Sequence, residues 1–351
     1  MRTLGILLTA ALAAAGPAAA AHVGHPHPHP HQAPAWTRVD VPTDQQLRGL
    51  DAVSDRVAWV GGSAGGVWRT TDGGRTWDDV SPAGADGLLF RDVEASSART
   101  ALALSIGEGT DSRIYRTTDG GRTWVQAFVN DDERAFYDCL AMYPGDRSGL
   151  AVSDPVDGKF RIISTRDGGA SWQLVDPAGM PDAVPGEFAF AASGTCLVTS
   201  GRDAFLATGG GAARILVSHD RGRTWTAHDS TIPASDAGGV FSLSVHGRDG
   251  IAVGGDFTAP TVGTDASAYS TDHGRTWRSG GDLGGYRSGV DQVRHGVAVA
   301  VGPTGSDLTR DGGRTWTAFD DTPLDAVQCV GATCWASGPH GVVVRAHASI
   351  R

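Results

Sequence analysis

No stretch of this 351-residue chain carries apolar residues at a 3.6-residue period over four turns, so a helix-built domain is excluded. After the first fifteen residues no apolar run is long enough to span a bilayer as a helix. Positive charge is in deficit. The 29 Lys and Arg face 39 Asp and Glu, a formal net charge of -10, which argues against nucleic acid or anionic lipid as the main partner. No dinucleotide fingerprint is present, and the Gly209–Gly211 run is not a phosphate loop because no helix follows it. The spaced carboxylates of Ser153–Lys159 (SDPVDGK) lack the ligand pattern of an EF-hand. No Ser-His-Asp or Cys-His arrangement stands out, since His246, His295 and His340 lie near turns.

What is abundant is glycine, 50 residues spread along the chain, and a repeat. One eight-residue signature occurs six times: Thr70–Trp77 (TTDGGRTW), Thr117–Trp124 (TTDGGRTW), Thr165–Trp172 (TRDGGASW), Ser218–Trp225 (SHDRGRTW), Ser270–Trp277 (STDHGRTW) and Thr309–Trp316 (TRDGGRTW). Its aspartates, Asp72, Asp119, Asp167, Asp220, Asp272 and Asp311, are 39 to 53 residues apart. That period is the size of one four-stranded propeller blade. The text between copies divides into strand-length apolar runs separated by Gly, Ser and Asp, as in LRGLDAV, VAWVGG and GVWRT. Within a copy, Asp-x-Gly suits a tight turn between the third and fourth strands, and Trp gives each blade an apolar anchor. A structural role is expected for these aspartates.

Three strand-like runs follow the sixth copy (LDAVQCV, ATCWASGP, GVVVRAH), with no seventh copy after them. Near the other end, AWTRV places Trp36 where a signature Trp would stand. The expectation is an all-β, seven-bladed β-propeller whose N-terminal strand completes the last blade and closes the ring, leaving no sheet edge exposed.

The six signatures resemble the Asp-box, or BNR, repeats of sialidases and related secreted propellers, over roughly Trp36 to His347. Seven blades are more like the photosystem II assembly and stability factor group and its non-photosynthetic relatives, whereas sialidases of this repeat class have six. The resemblance therefore implies a binding or assembly scaffold. A sialidase-like glycoside hydrolase is the alternative. By resemblance it would need an arginine triad, a tyrosine nucleophile (Tyr137 or Tyr286) beside Glu187 or Glu108, and Asp154 or Asp256 as acid. The Arg-Ile-Pro segment usual near the start of sialidases is absent.

Residues 1–21 have the basic start, apolar stretch and small-residue end of a secretory signal peptide. Residues 22–34 form a His/Pro-rich linker, and 35–351 one propeller domain of blades that cannot fold alone. In the linker His22, His25, His27, His29 and His31 alternate largely with proline. Such a tract can bind Cu, Zn or Ni adventitiously, or serve only as a spacer. No other cofactor is expected. An exported chain with four cysteines can form two disulfides. Cys329 and Cys334 flank a four-residue turn, and Cys139 with Cys196 would join blades three and four unless both are buried thiols.

Propeller ligands usually meet the face where the innermost strands begin. Aligning those starts (LRGLD, FRDVE, FYDCL, EFAFA, VFSLS, YRSGV, LDAVQ) puts Arg48, Arg91, Tyr137, Phe188, Phe241, Arg287 and Asp325 at the second position. Arg48, Arg91 and Arg287 would form one arc suited to a carboxylate, phosphate or sulfate. Opposite lie Tyr137, Asp138, Glu187, Phe188 and Phe241, with Glu108, Asp154 and Asp256 in neighbouring loops. A protein, glycan or other anionic ligand is the expected partner of a monomeric ring. The plain alternative is that these arginines pair with acids and only seal the channel.

Overall fold

The computed structural model describes residues 36–145 and 147–347. The proposed signal segment and the five histidines of the linker lie outside the described residues. Seven antiparallel sheets follow one another along the chain, each running from an inner to an outer strand. Blade one is Leu47–Ala52, Ala58–Gly62, Val67–Thr70 and Asp78–Asp79. Each innermost strand packs on those of the two flanking blades, and the seventh packs on the first, so the ring is closed. The chain is a seven-bladed β-propeller.

Closure comes from the N-terminus, as its sequence suggests. Thr37 pairs with Arg345 and Arg38 with Val344, adding the outer strand of blade seven. Trp36 donates its indole N–H to Ser306 Oγ of blade six at 3.0 Å and lies 5.9 Å from the Phe319 ring.

The six signatures are structural and nearly identical. In the first, Thr70 ends the third strand and its hydroxyl donates to Asp72 Oδ1 at 3.0 Å. Asp72 then accepts the Thr76 backbone N–H at 3.0 Å and the Thr76 hydroxyl at 2.8 Å. Both glycines take positive φ, and a Cβ on Gly74 would stand 2.7 Å from Val39 Cβ, so the turn also needs glycine for close packing on the preceding strand. Where the first glycine is replaced, Arg221 and His273 adopt φ of 63° and 65°. The Trp indole varies more: Trp77 donates to Val39 O at 2.7 Å and Trp124 to Val80 O at 2.6 Å, tying outer strands together, whereas Trp225 and Trp277 donate to Gly222 O and Gly274 O of their own boxes.

At the centre, inner strands are stitched by side chains that accept backbone N–H groups from the next blade. Asp51 accepts from Ala95, Asp92 from Leu140 at 2.6 Å, Ser242 from Val290 at 2.9 Å, Asp291 from Cys329 at 2.7 Å, and Gln328 from Ala52. These bonds satisfy donors that a wide ring would otherwise bury unpaired.

Blade four departs from the sequence expectation. Its inner strand is Leu197–Ser200, not the EFAFA segment. Glu187–Phe188 instead pairs with Gly209–Gly210, which reaches Gly239 of blade five. The intervening residues cross the channel. Ala189 N–H reaches Asp154 of blade three, Ser193 Oγ reaches Ser288 O of blade six, and Phe190 stacks on Phe241 of blade five at 3.7 Å. A seven-bladed ring leaves an axial space, and this segment fills it. Its far end is fixed by the Cys139–Cys196 disulfide joining blades three and four, and Cys329–Cys334 closes the hairpin of blade seven.

Candidate functional site

The crossing segment floors a cavity of about 580 Å³ at the face where the inner strands begin. Four residues of its wall share one backbone device. The inner strands of blades one, two, three and five each break register, between Leu47 and Gly49, Phe90 and Asp92, Tyr137 and Cys139, and Val240 and Ser242. The extra residues are Arg48, Arg91, Asp138 and Phe241, and all four line the cavity. A β-bulge leaves one residue unpaired and re-aims its side chain, here into the mouth.

One side is cationic. Arg48 pairs with Asp325 at 3.1 Å and donates to Ala192 O at 3.2 Å. Arg91 donates to Ala191 O at 2.9 Å and forms no ion pair among the described residues. Burial, then the neighbouring charge of Arg48, pushes Arg91 down to about 10, so it remains a cation at neutral pH. Burial also raises Asp325, against the pull of Arg48.

Blade three, the neighbour of blade two in the ring, supplies Asp138 and Asp154 to the same cavity. Burial raises Asp154 to about 6, while its Oδ1 accepts the Ala189 N–H at 2.8 Å. Asp138 is held well above the usual carboxylate range by burial and then by the charge of Asp154. The wall from blades five and six is aromatic. Phe190 lies on Phe241, Tyr286 meets Phe241 edge-on at 4.7 Å, and Phe257, half exposed, stands at the rim.

Other expectations need correction. Arg287 does not join the arc. It is 1 % exposed, its Nε donates to Asp307 at 2.6 Å, and Tyr286 takes its place in the wall. Phe188 packs edge-on against Phe190 at 4.9 Å, and Phe190 lines the cavity instead, because the EFAFA segment crosses the channel. Tyr137 turns inward onto Phe128 at 5.1 Å, since the bulge falls one residue later. Glu187 is buried in an ion pair with Arg214 at 2.6 Å, and Asp256 is bonded by Ser235 and Thr258 outside the cavity. Tyr137, Glu187, Asp154 and Asp256 are therefore not brought together, and only Asp154 faces the mouth. Ser153–Lys159 is mostly strand, turning tightly at Asp157 and Gly158, whereas the residues after strand Asp249–Asp256, 257–266, form a true loop that contributes Phe257 and Pro260. Among the described residues no group of three or more His, Cys, Asp or Glu is arranged to hold a metal ion, and no helix is long and apolar enough to cross a membrane.

A family model described as BNR/Asp-box repeat matches residues 268–279. No curated protein matches the chain. Solved structures resemble it in fold. YCF48 from Cyanidioschyzon merolae is 17 % identical with a TM-score of 0.62, covering 89 % of this chain and 99 % of that one. A structure titled YCF48 bound to D1 peptide is 15 % identical with a TM-score of 0.61, covering 89 % and 96 %. The WD40 repeats of RRP9 are 11 % identical at 0.61, covering 90 % and 99 %. The matched box, five further copies of its signature and the closed ring describe a seven-bladed β-propeller that carries BNR/Asp-box repeats, similar in fold to the YCF48 structures.

Proposed function

We propose that this chain is an exported binding or assembly scaffold whose central mouth captures a segment of another protein through a carboxylate or similar anionic group. Arg91 carries the reading. It is a half-buried guanidinium presented by a bulge and bonded to one carbonyl; the charge of Asp325 reaches it, but no carboxylate of the described residues forms a direct ion pair with it. Its remaining N–H donors are available to an anion, and a planar fork suits a carboxylate. Arg48 stands beside it, and the aromatic wall supplies apolar area for a docked chain. One YCF48 structure is described as bound to a D1 peptide, which supports a peptide as the ligand of a propeller built this way. Export fits the two disulfides and the sequence of residues 1–21, with 22–34 as the linker to the ring.

The test is fluorescence polarisation with a library of labelled octapeptides, each made with a free C-terminal carboxylate and as the amide. Free acids are expected to bind preferentially, and Arg91→Ala to weaken them by about tenfold or more while leaving the melting temperature unchanged. Equal binding of acids and amides would refute the reading, as would an Arg91→Ala protein that binds normally.

A further inference from the structure

Most buried acids of this ring have identified partners. Asp51, Asp92 and Asp291 accept backbone N–H groups from the next blade, Glu187 holds Arg214, and Asp307 holds Arg287. Asp138 is only half satisfied, by the Asp154 backbone N–H. It is 1 % exposed, its Oδ2 has no hydrogen-bond partner, and it lines the mouth. Asp154 stands beside it, and neither carboxyl forms an ion pair with a described Lys, Arg or His. A buried carboxyl oxygen without a partner costs free energy that a bound donor would recover.

We infer that Asp138 and Asp154 form a second subsite of the mouth, which takes a lysine ammonium or arginine guanidinium from the same protein segment whose anionic group meets Arg48 and Arg91. The inference rests on the reading of the mouth as a peptide site and specifies its ligand: a bipolar segment, basic at one point, anionic at another, with apolar side chains for the aromatic wall. The wall agrees. Phe190 and Phe241 line the same cavity, and Phe136 borders Asp154, where an aromatic face favours an organic cation. A divalent ion fits less well, because two carboxyls in an aromatic setting supply too few oxygens for calcium or magnesium. The bulge at Asp138 is itself an argument for binding, since the matching bulges on blades one and two present Arg48 and Arg91 to the same cavity.

The experiment uses N-acetylated octapeptides with one Phe, a free C-terminal carboxylate and a single Lys stepped along the chain. Each is paired with its acetyl-lysine counterpart and its C-terminal amide, and titrated by calorimetry. At one or more positions Lys is expected to bind about tenfold or more tightly than acetyl-lysine, the difference between a charge-assisted pair and none. Asp138→Asn should abolish that preference and keep the preference for free acid over amide. Arg91→Ala should do the converse. Asp154→Asn serves the same purpose should Asp138→Asn fail to fold. Equal affinity for Lys and acetyl-lysine at every position overturns the cation subsite while leaving the anion reading intact. Equal affinity for acid and amide overturns the anion reading, and no binding at about 1 mM overturns both.

Discussion

At the scale of single residues, two kinds of aspartate do opposite things in this ring. Those of the boxes sit at the surface and are saturated with local donors, which holds Asp119 and Asp272 at about 2. Their contribution to stability is complete above the ordinary carboxylate range and is lost only as pH falls through about 4 to 2. The inner-strand aspartates are buried and shifted upwards. Asp51 is raised to about 6, by burial first, despite accepting from Ala95 and Gln328. Between about pH 4 and 6 the folded chain keeps a proton that the unfolded chain has lost, so stability falls as pH rises through that window, and the penalty is fully present above it. Asp51→Asn keeps an acceptor and removes the charge. It should stabilise the protein at pH 7.5 by on the order of 2 kcal/mol and hardly at all at pH 4. Urea unfolding at the two pH values checks this, and equal effects at both would count against it. The box aspartates were legible in the sequence because their bonds close within four residues. Asp51 was not singled out, because its partners come from other blades.

At the scale of the element, the box turn shows why spacing alone gave the blades. Its second glycine does two jobs: Gly121 has φ of +81°, and a Cβ there would stand 2.5 Å from Val80 Cβ. Gly121→Ala should cost about 2–4 kcal/mol, from left-handed strain plus overpacking. Gly247→Ala, at φ of +59° with nothing near its Cβ, should cost only about 1–2 kcal/mol. Equal losses in chemical denaturation would show that contact with the neighbouring blade is unimportant. The inner strands were less legible. A bulge moves one residue from pairing to presentation, and nothing in FYDCL marks Asp138 rather than Tyr137 as that residue. The pairing partner decides, and it lies on the next strand. For the same reason EFAFA, strand-like by pattern, became the segment that floors the mouth and replaced Phe188 with Phe190.

At the scale of the whole molecule, closure by a short outer strand joins the chain's beginning to its end. Removing residues 36–40 deletes the pairing with Val344 and Arg345, the Trp36 contacts on blade six and the Val39 acceptor of Trp77. Thermal unfolding should shift down by about 5 °C or more. The uncovered edge of Val343–His347 should also make the protein self-associate as concentration rises, which sedimentation would detect. An unchanged melting temperature would mean that the ring holds without this closure. The sequence by itself determined the repeat, the number of blades, the closing strand and the Cys329–Cys334 hairpin pair, because each depends on residues close in the chain or on a period that local hydrogen bonding enforces; Cys139 and Cys196, 57 residues apart, stayed open until the fold brought them together. Only the tertiary structure decided which side chains face the mouth. Arg287 and Arg91 occupy the same aligned position, yet one is buried against Asp307 and the other opens to the cavity. That difference is set by strand register and by partners on other strands, which a linear pattern does not encode.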